Sequence, residues 1–315
     1  MRLSAIVWPL FIKQNLFIIA RENFMKKSIQ SKLLPYLFIL PTFILLAIFS
    51  YYSIGNAIYT SFTDSTFGLK SNWVGIENYR NALKDHVFIM SFRNQLVLTV
   101  MSVFNSIFFP LLTAELLFFI KHKKLSNLIK TAFVIPMLVP SIVTILIWKY
   151  LYNPSFGFNS ILKKIGLGSL THNWLNDKST ALICIILVGF PYVSGMYFLI
   201  FHSAVNMISE ELYDAAIVDG ATPLEVVKYV HIPNVKSSIK VVATLSMIGS
   251  LSGFGLVAAT TGGGPGYATM IPAMQMYKIA FGDGKFGYAS ALGVVLFVVI
   301  ILMTLLTRHF FREED

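Results

Sequence analysis

Apolar runs of about 20 residues recur along the 315-residue chain, and this recurrence constrains the fold more than any other feature of the sequence. A run of that length crosses a hydrocarbon core of roughly 30 Å when coiled as a helix. Inside a bilayer no water satisfies the backbone N–H and C=O groups, so a spanning chain is either helical or a closed barrel. Barrel strands run about ten residues and alternate apolar with polar positions. The runs in this chain do not alternate, so helices are required. Six spans are predicted: Leu34–Ile54, Leu96–Ile120, Leu128–Tyr150, Thr180–Phe201, Ile239–Ala259 and Tyr288–Leu306. The expected fold is all-α and integral to the membrane. Composition agrees: 13% of residues are charged against about 25% in soluble chains, and mean hydropathy is +0.69.

Lysines and arginines in short loops set the orientation. The loop from Lys121 to Lys130 carries Lys121, Lys123, Lys124 and Lys130, which makes it cytoplasmic. Counting spans from it puts Lys26, Lys27, Lys32, the segment between the fourth and fifth spans, and the tail with Arg308 and Arg312 on the same side. Both termini are then cytoplasmic. The chain divides into an N-terminal cytoplasmic or interfacial segment (1–32), a transmembrane domain (33–308) and a cytoplasmic tail (309–315).

Within the first segment, Ser4–Ala20 is apolar but interrupted by Pro9, Lys13, Gln14 and Asn15, and an interfacial helix is expected there. A seventh span is the alternative, at a cost of about a few kcal/mol for the polar triplet near mid-bilayer. No small-residue cleavage site follows the run, and Met25, with Lys26 and Lys27 after it, offers an alternative start.

The net charge of +10 does not point to nucleic acid, because the basic residues flank apolar runs, where lipid headgroups account for them. The single cysteine, Cys184, lies inside an apolar run, so there is no disulfide framework and the thiol is read as packing.

Between the fourth and fifth spans, residues 209–236 form more than a connecting loop. Glu210–Val218 suits a short helix, Asp219 and Gly220 suit a turn, and Pro223 suits the first turn of a second helix. The small residues Ala215, Ala216 and Gly220 permit close approach of another surface, and Leu212, Val226, Val227 and Tyr229 offer apolar anchors. The elbow reads as a docking element.

This segment resembles the signature of the permeases of binding-protein-dependent ABC importers: EAA, three residues, Gly, nine residues, then I, any residue, LP. Asp214, Ala215 and Ala216 occupy EAA, Gly220 the glycine, and Val230, Ile232 and Pro233 the terminal positions, with conservative departures at three of them. The resemblance implies a six-span type I importer core, with Asp214, Ala215, Ala216, Gly220 and Pro233 in a coupling helix that sits in a cleft of the ATPase subunit. It implies as partners a second permease subunit, two ABC ATPase subunits and an extracytoplasmic solute-binding protein. ATP and Mg belong to the ATPase, with no cofactor on this chain. The segments SFTD (61–64), VGIENY (74–79), IPMLVPSIV (135–143), NWLND (173–177) and GGGP (262–265) are similar to carbohydrate permeases of the maltose and glycerol-phosphate type, which implies an oligosaccharide as cargo.

In such permeases a GFPY segment and one face of the following span line the cavity. Here these are Gly189 to Tyr192, and Ser246, Gly249, Ser250 and Gly253, which share one helix face. Pro191 is expected to kink its helix and free a carbonyl, and Tyr192 either stacks on a sugar ring or packs as core. The Gly and Ser face either contacts ligand or lets two helices approach. Glu115, the clearest ionisable group within a span, is expected to meet a basic residue near the interface, and Asn105 faces a pore or a neighbouring helix.

A phosphate-binding loop is missing, since the run Gly262–Gly266 lacks the lysine such a loop needs and falls outside the membrane. The six histidines have no ligand spacing, so neither a metal site nor a catalytic residue is expected. A permease for another solute and a membrane-embedded enzyme are the alternatives. Outer loops carry an excess of Lys and Arg, including Lys70, Arg80, Lys84, Lys163, Lys164 and Lys178, which hints at acidic sugars or at a binding-protein contact.

Overall fold

The structure, a computed structural model, describes residues 34–67 and 71–310. The expectations placed on residues 1–32, on Lys70, on the side chain of Arg308 and on Arg312 lie outside the described residues. The described residues fall into two units that divide between Tyr59 and Thr60.

The described part of the first unit is one helix, α1, which begins at Leu34, has a π-helical turn at Leu46–Tyr51, and continues past the division to Ser61. Its most apolar 18-residue window has no buried residue. Its length and hydropathy make it a candidate membrane span.

The second unit is built on two long helices. α2 (Glu77–Ala82) leads into α3 (His86–Phe118), 33 residues and therefore about 50 Å long. Asp85 caps α3, its carboxylate accepting the N–H groups of Val87 and Phe88 at 2.9 and 3.0 Å. The helix starts ten residues before the predicted span because Arg93, Asn94 and Gln95 lower the local hydropathy. Asn94 and Gln95 are nonetheless buried, Asn94 donating to the carbonyls of Tyr267 and Met270 and Gln95 to that of Ser250. The last long helix, α14, spans Phe286–Phe310.

Between them lie α4 (Lys123–Val134), α5 (Ser141–Leu151), α6 (Gly157–Lys164), α7 (Ala181–Leu187), α8 (Gly195–Asn206), α9 (Glu210–Val218), α10 (223–234), α11 (Lys236–Ser252), α12 (Gly255–Thr260) and α13 (Pro272–Tyr277). No β-strand longer than an isolated bridge occurs among the described residues. The fold is all-α.

All six predicted spans are largely helical, and three of them are broken. The third bends by 93° between Leu138 and Ser141. Val139 precedes Pro140, whose ring disfavours helical backbone at the preceding residue, and Val139 is extended at φ −80°, ψ 126°. The fourth parts between α7 and α8, and the fifth parts at Gly253 between α11 and α12. Irregular backbone at membrane depth is tolerated where it is buried in protein or lines a cavity.

Three buried clusters hold the second unit together. One joins α2, α3 and α14 through Ala82, Phe88, Ala289 and Leu292. A second joins α3, α8 and α11 through Ala114, Leu117, Phe198, Phe201 and Val242. The third joins α7 and α12 to the start of α13 through Ile185, Val257, Met270, Ile271 and Met274. Along the chain, the breaks in the fourth and fifth spans lie between residues of the second and third clusters.

Candidate functional site: an elbow and a cavity between broken helices

The elbow is two helices joined by a tight turn. α9 begins after Ser209 with Glu210 and Glu211 in its first turn, where carboxylates favour the helix dipole. Beyond its cap at Asp219 stands Gly220, whose φ of +80° suits glycine. There the N–H groups of Gly220 and Ala221 close back on the carbonyls of Ile217 and Ala216 at 3.0 and 2.9 Å. α10 opens with a capping box: the Thr222 hydroxyl accepts the Glu225 N–H at 3.4 Å, while the Glu225 carboxylate accepts the Thr222 N–H at 2.8 Å. The hydrogen bonds from the Thr222 backbone and hydroxyl hold the Glu225 carboxyl below the usual carboxylate range.

Apolar side chains crowd the elbow surface. Val218 and Leu224 on the elbow, and Met207 just before it at the end of α8, are 86%, 82% and 84% exposed, more than any other large apolar residue among those described. Asp214 and Ala215 are exposed beside them, as is Pro233, and Ala216 is half-buried. A Cβ at Gly220 would meet nothing, so within this chain that glycine is required by its backbone and not by crowding. Among the expected anchors, Leu212 and Tyr229 are exposed, but Val226 is fully buried and faces inward, which corrects its reading as a surface anchor.

A cavity of about 540 Å³ opens between the two helix breaks. One wall is α3, through Gln95, Ser102, Asn105 and Ser106; the break before α8 supplies Gly189, Tyr192 and Ser194, and α11 supplies Ser246, Gly249, Ser250 and Gly253. The volume lies within the range of small-molecule sites. No charged side chain lines it.

Gly189, Tyr192, Ser246, Gly249, Ser250 and Gly253 thus converge on one space, and Asn105, buried to 8% exposure, faces it as well. The small face of α11 divides by position. Ser250 packs on α3, its hydroxyl 3.1 Å from that of Thr99. A Cβ at Gly249 would meet nothing, so that glycine leaves room and does not seat a helix of this chain. Ser246 is buried and its hydroxyl donates to the Ala243 carbonyl. Gly253 ends the helix with an extended backbone.

Pro191 breaks the fourth span where a kink was expected. α7 stops at Leu187, Gly189 has φ +91°, and the Phe190–Pro191 peptide is cis. Tyr192, with φ +59°, donates its hydroxyl to the Ile186 carbonyl at 2.5 Å, satisfying one of the carbonyls left free at the end of α7. Its ring tilts against Phe109 and meets Phe190 edge-on, each at 5.5 Å.

Residues 106–313 match the family described as "Binding-protein-dependent transport system inner membrane component". The chain belongs to this family. The permease is 31% identical over 285 residues to the "Probable ABC transporter permease protein YurN" of Bacillus subtilis (strain 168), covering 90% of this chain and 97% of the relative. It is 28% identical over 270 residues to the "Diacetylchitobiose uptake system permease protein NgcF" of Streptomyces coelicolor, covering 80% and 74%. Its fold matches a chain of a solved bacterial ABC transporter involved in the import of the acidic polysaccharide alginate, with a TM-score of 0.80 at 23% identity over 91% of this chain and 98% of the other.

The matched region of the permease contains both the elbow and α11. It also contains a pair that sequence reasoning missed. Glu115, near the end of α3, is 5% exposed and lies 2.7 Å through Oε2 from Nδ1 of His231, which is 1% exposed. The basic residue that Glu115 meets is a histidine from the elbow. The remaining histidines of the described residues stay scattered, with no group of three metal-ligating side chains among those residues.

Proposed function

We propose that this chain is one permease subunit of an ATP-binding-cassette importer that carries a carbohydrate handed over by an extracytoplasmic binding protein. It pairs with a second permease subunit, and two ABC ATPase subunits supply ATP and Mg from the cytoplasmic side, where both termini also lie. No catalytic residue and no metal are assigned to this chain.

The observation that carries this reading is the pairing of an outward-facing apolar elbow with a cavity bounded by broken helices in one family member. Exposed Met207, Val218 and Leu224 suit a docking surface, since large apolar residues rimmed by polar ones mark interaction sites. Asp214, Ala215, Ala216, Gly220 and Pro233 present that surface to an ATPase. Carriage of a carbohydrate is supported by the diacetylchitobiose relative and by the lining itself. Serine hydroxyls and the Asn105 amide suit hydroxyl-rich ligands, Tyr192 offers an aromatic edge, and Gly249 leaves room. With no cationic side chain on this wall, a neutral oligosaccharide fits better than the acidic sugar suggested by the outer-loop lysines.

Calorimetry on the cognate binding protein tests the cargo directly. A neutral di- or oligosaccharide is the expected ligand, and uptake of that ligand by cells must depend on this chain. Binding of an amino acid, a peptide or a metal ion would overturn the carbohydrate reading.

A further inference from the structure

Glu115 and His231 lie 116 residues apart in sequence yet make a buried contact of 2.7 Å. His231 occupies the position of the elbow signature that any residue can fill, so the signature does not account for it. Removing two ionisable groups from solvent costs several kcal/mol, and their pairing often does no more than offset that cost.

Their surroundings tie three elements together. The His231 ring stands edge-on to Phe118 at 4.7 Å and stacks near Phe119 at 6.3 Å, both at the end of α3. Phe118 in turn meets Tyr213 of α9 edge-on at 5.5 Å. Both arms of the elbow are thereby fastened to the end of α3. Ten residues up that helix, about 15 Å, Asn105 lines the cavity, followed by Ser102 and Gln95.

We propose that Glu115 and His231 are positioning residues: the bond between them fixes the elbow to α3, so that movement imposed on the elbow reaches the cavity wall. This rests on the reading of residues 209–236 as the coupling element. The bond supplies direction and distance that the surrounding aromatic contacts lack, because a ring contact slides at little cost whereas a buried hydrogen bond cannot be left unmade.

The test uses the complete importer reconstituted in vesicles, with a reporter on α3. In a Cys184→Ser background, Ser102→Cys gives this chain one thiol, on the cavity wall, and the rate at which this chain is labelled by a charged thiol reagent is measured with and without ATP and vanadate. With the pair intact, the nucleotide is expected to change that rate about tenfold, the equivalent of about 1.4 kcal/mol. The Glu115→Leu/His231→Phe double variant removes the bond without leaving a buried polar group unpaired, so the complex assembles and hydrolyses ATP. Its nucleotide-dependent change in labelling is expected to vanish. Glu115→Gln, which keeps a hydrogen bond to the ring, is expected to restore it.

Retention of the nucleotide response in the double variant overturns the proposal. So does failure of that variant to assemble, which would make the pair purely structural. Gly220→Leu with the pair intact separates the two readings: if it too leaves the response unchanged, the elbow assignment itself fails.

Discussion

Gly249→Trp is expected to cut carbohydrate uptake at least about tenfold while leaving assembly and basal ATP hydrolysis near wild type. A Cβ at this position meets nothing within 4 Å, so the new side chain starts out into open space. That space is the cavity of about 540 Å³, and an indole occupies a large part of one wall. Thermal unfolding of the purified complex checks the first half of this expectation and vesicle uptake the second. Gly249→Ala, which adds one methyl to the same open space, is expected to keep uptake within about twofold. If the tryptophan variant transports normally, the cavity is not the path.

Gly220→Leu is the second change with a large expected effect, and it acts at the other end of the chain's mechanism. The glycine has φ +80°, and a side chain there costs about 1 kcal/mol in backbone strain. Strain of that size slightly weakens the turn. The greater consequence is steric, because the turn separates two helices whose exposed apolar residues, Val218 and Leu224, form the proposed docking face. Uptake is expected to fall at least about tenfold, with ATPase subunits lost from the purified complex or hydrolysing ATP without transport. Gly220→Ala carries the same strain with little bulk, so the difference between the two variants isolates docking. Equal losses in both would assign the effect to strain and remove the argument for docking at this turn.

The contrast between these two sites shows how far sequence carries. The elbow is local: a helix-forming stretch, a glycine at its end and a proline at the next start specify one another within about fifteen residues. Glu210–Val218, Gly220 and Pro223 accordingly stand where their chemistry puts them. The six apolar runs are equally legible, since length and hydropathy suffice to require helices in lipid.

The breaks are less legible. Glycine and serine are tolerated within membrane helices, so nothing local in Ser246 to Gly253 marks Gly253 as an end. The extended backbone there becomes favourable because α3 supplies the buried amide of Gln95 to the Ser250 carbonyl. Pro191 signals a disturbance, yet whether it kinks or breaks the helix depends on the hydroxyl of Tyr192 reaching the Ile186 carbonyl. The start of α3 was hidden for a related reason. Polar side chains that look unsuited to a span are satisfied by carbonyls of Ser250, Tyr267 and Met270, far away in sequence. The Glu115–His231 contact belongs to the same class, being long-range and without periodicity.

The account as a whole depends on this chain being a passage without an engine of its own. The most direct measurement is accumulation of labelled neutral oligosaccharides, diacetylchitobiose among them, in vesicles containing the complete importer and its binding protein. Accumulation is expected only when ATP reaches the cytoplasmic face and the binding protein is present on the other. Accumulation by vesicles that hold this permease without the ATPase subunits would contradict it.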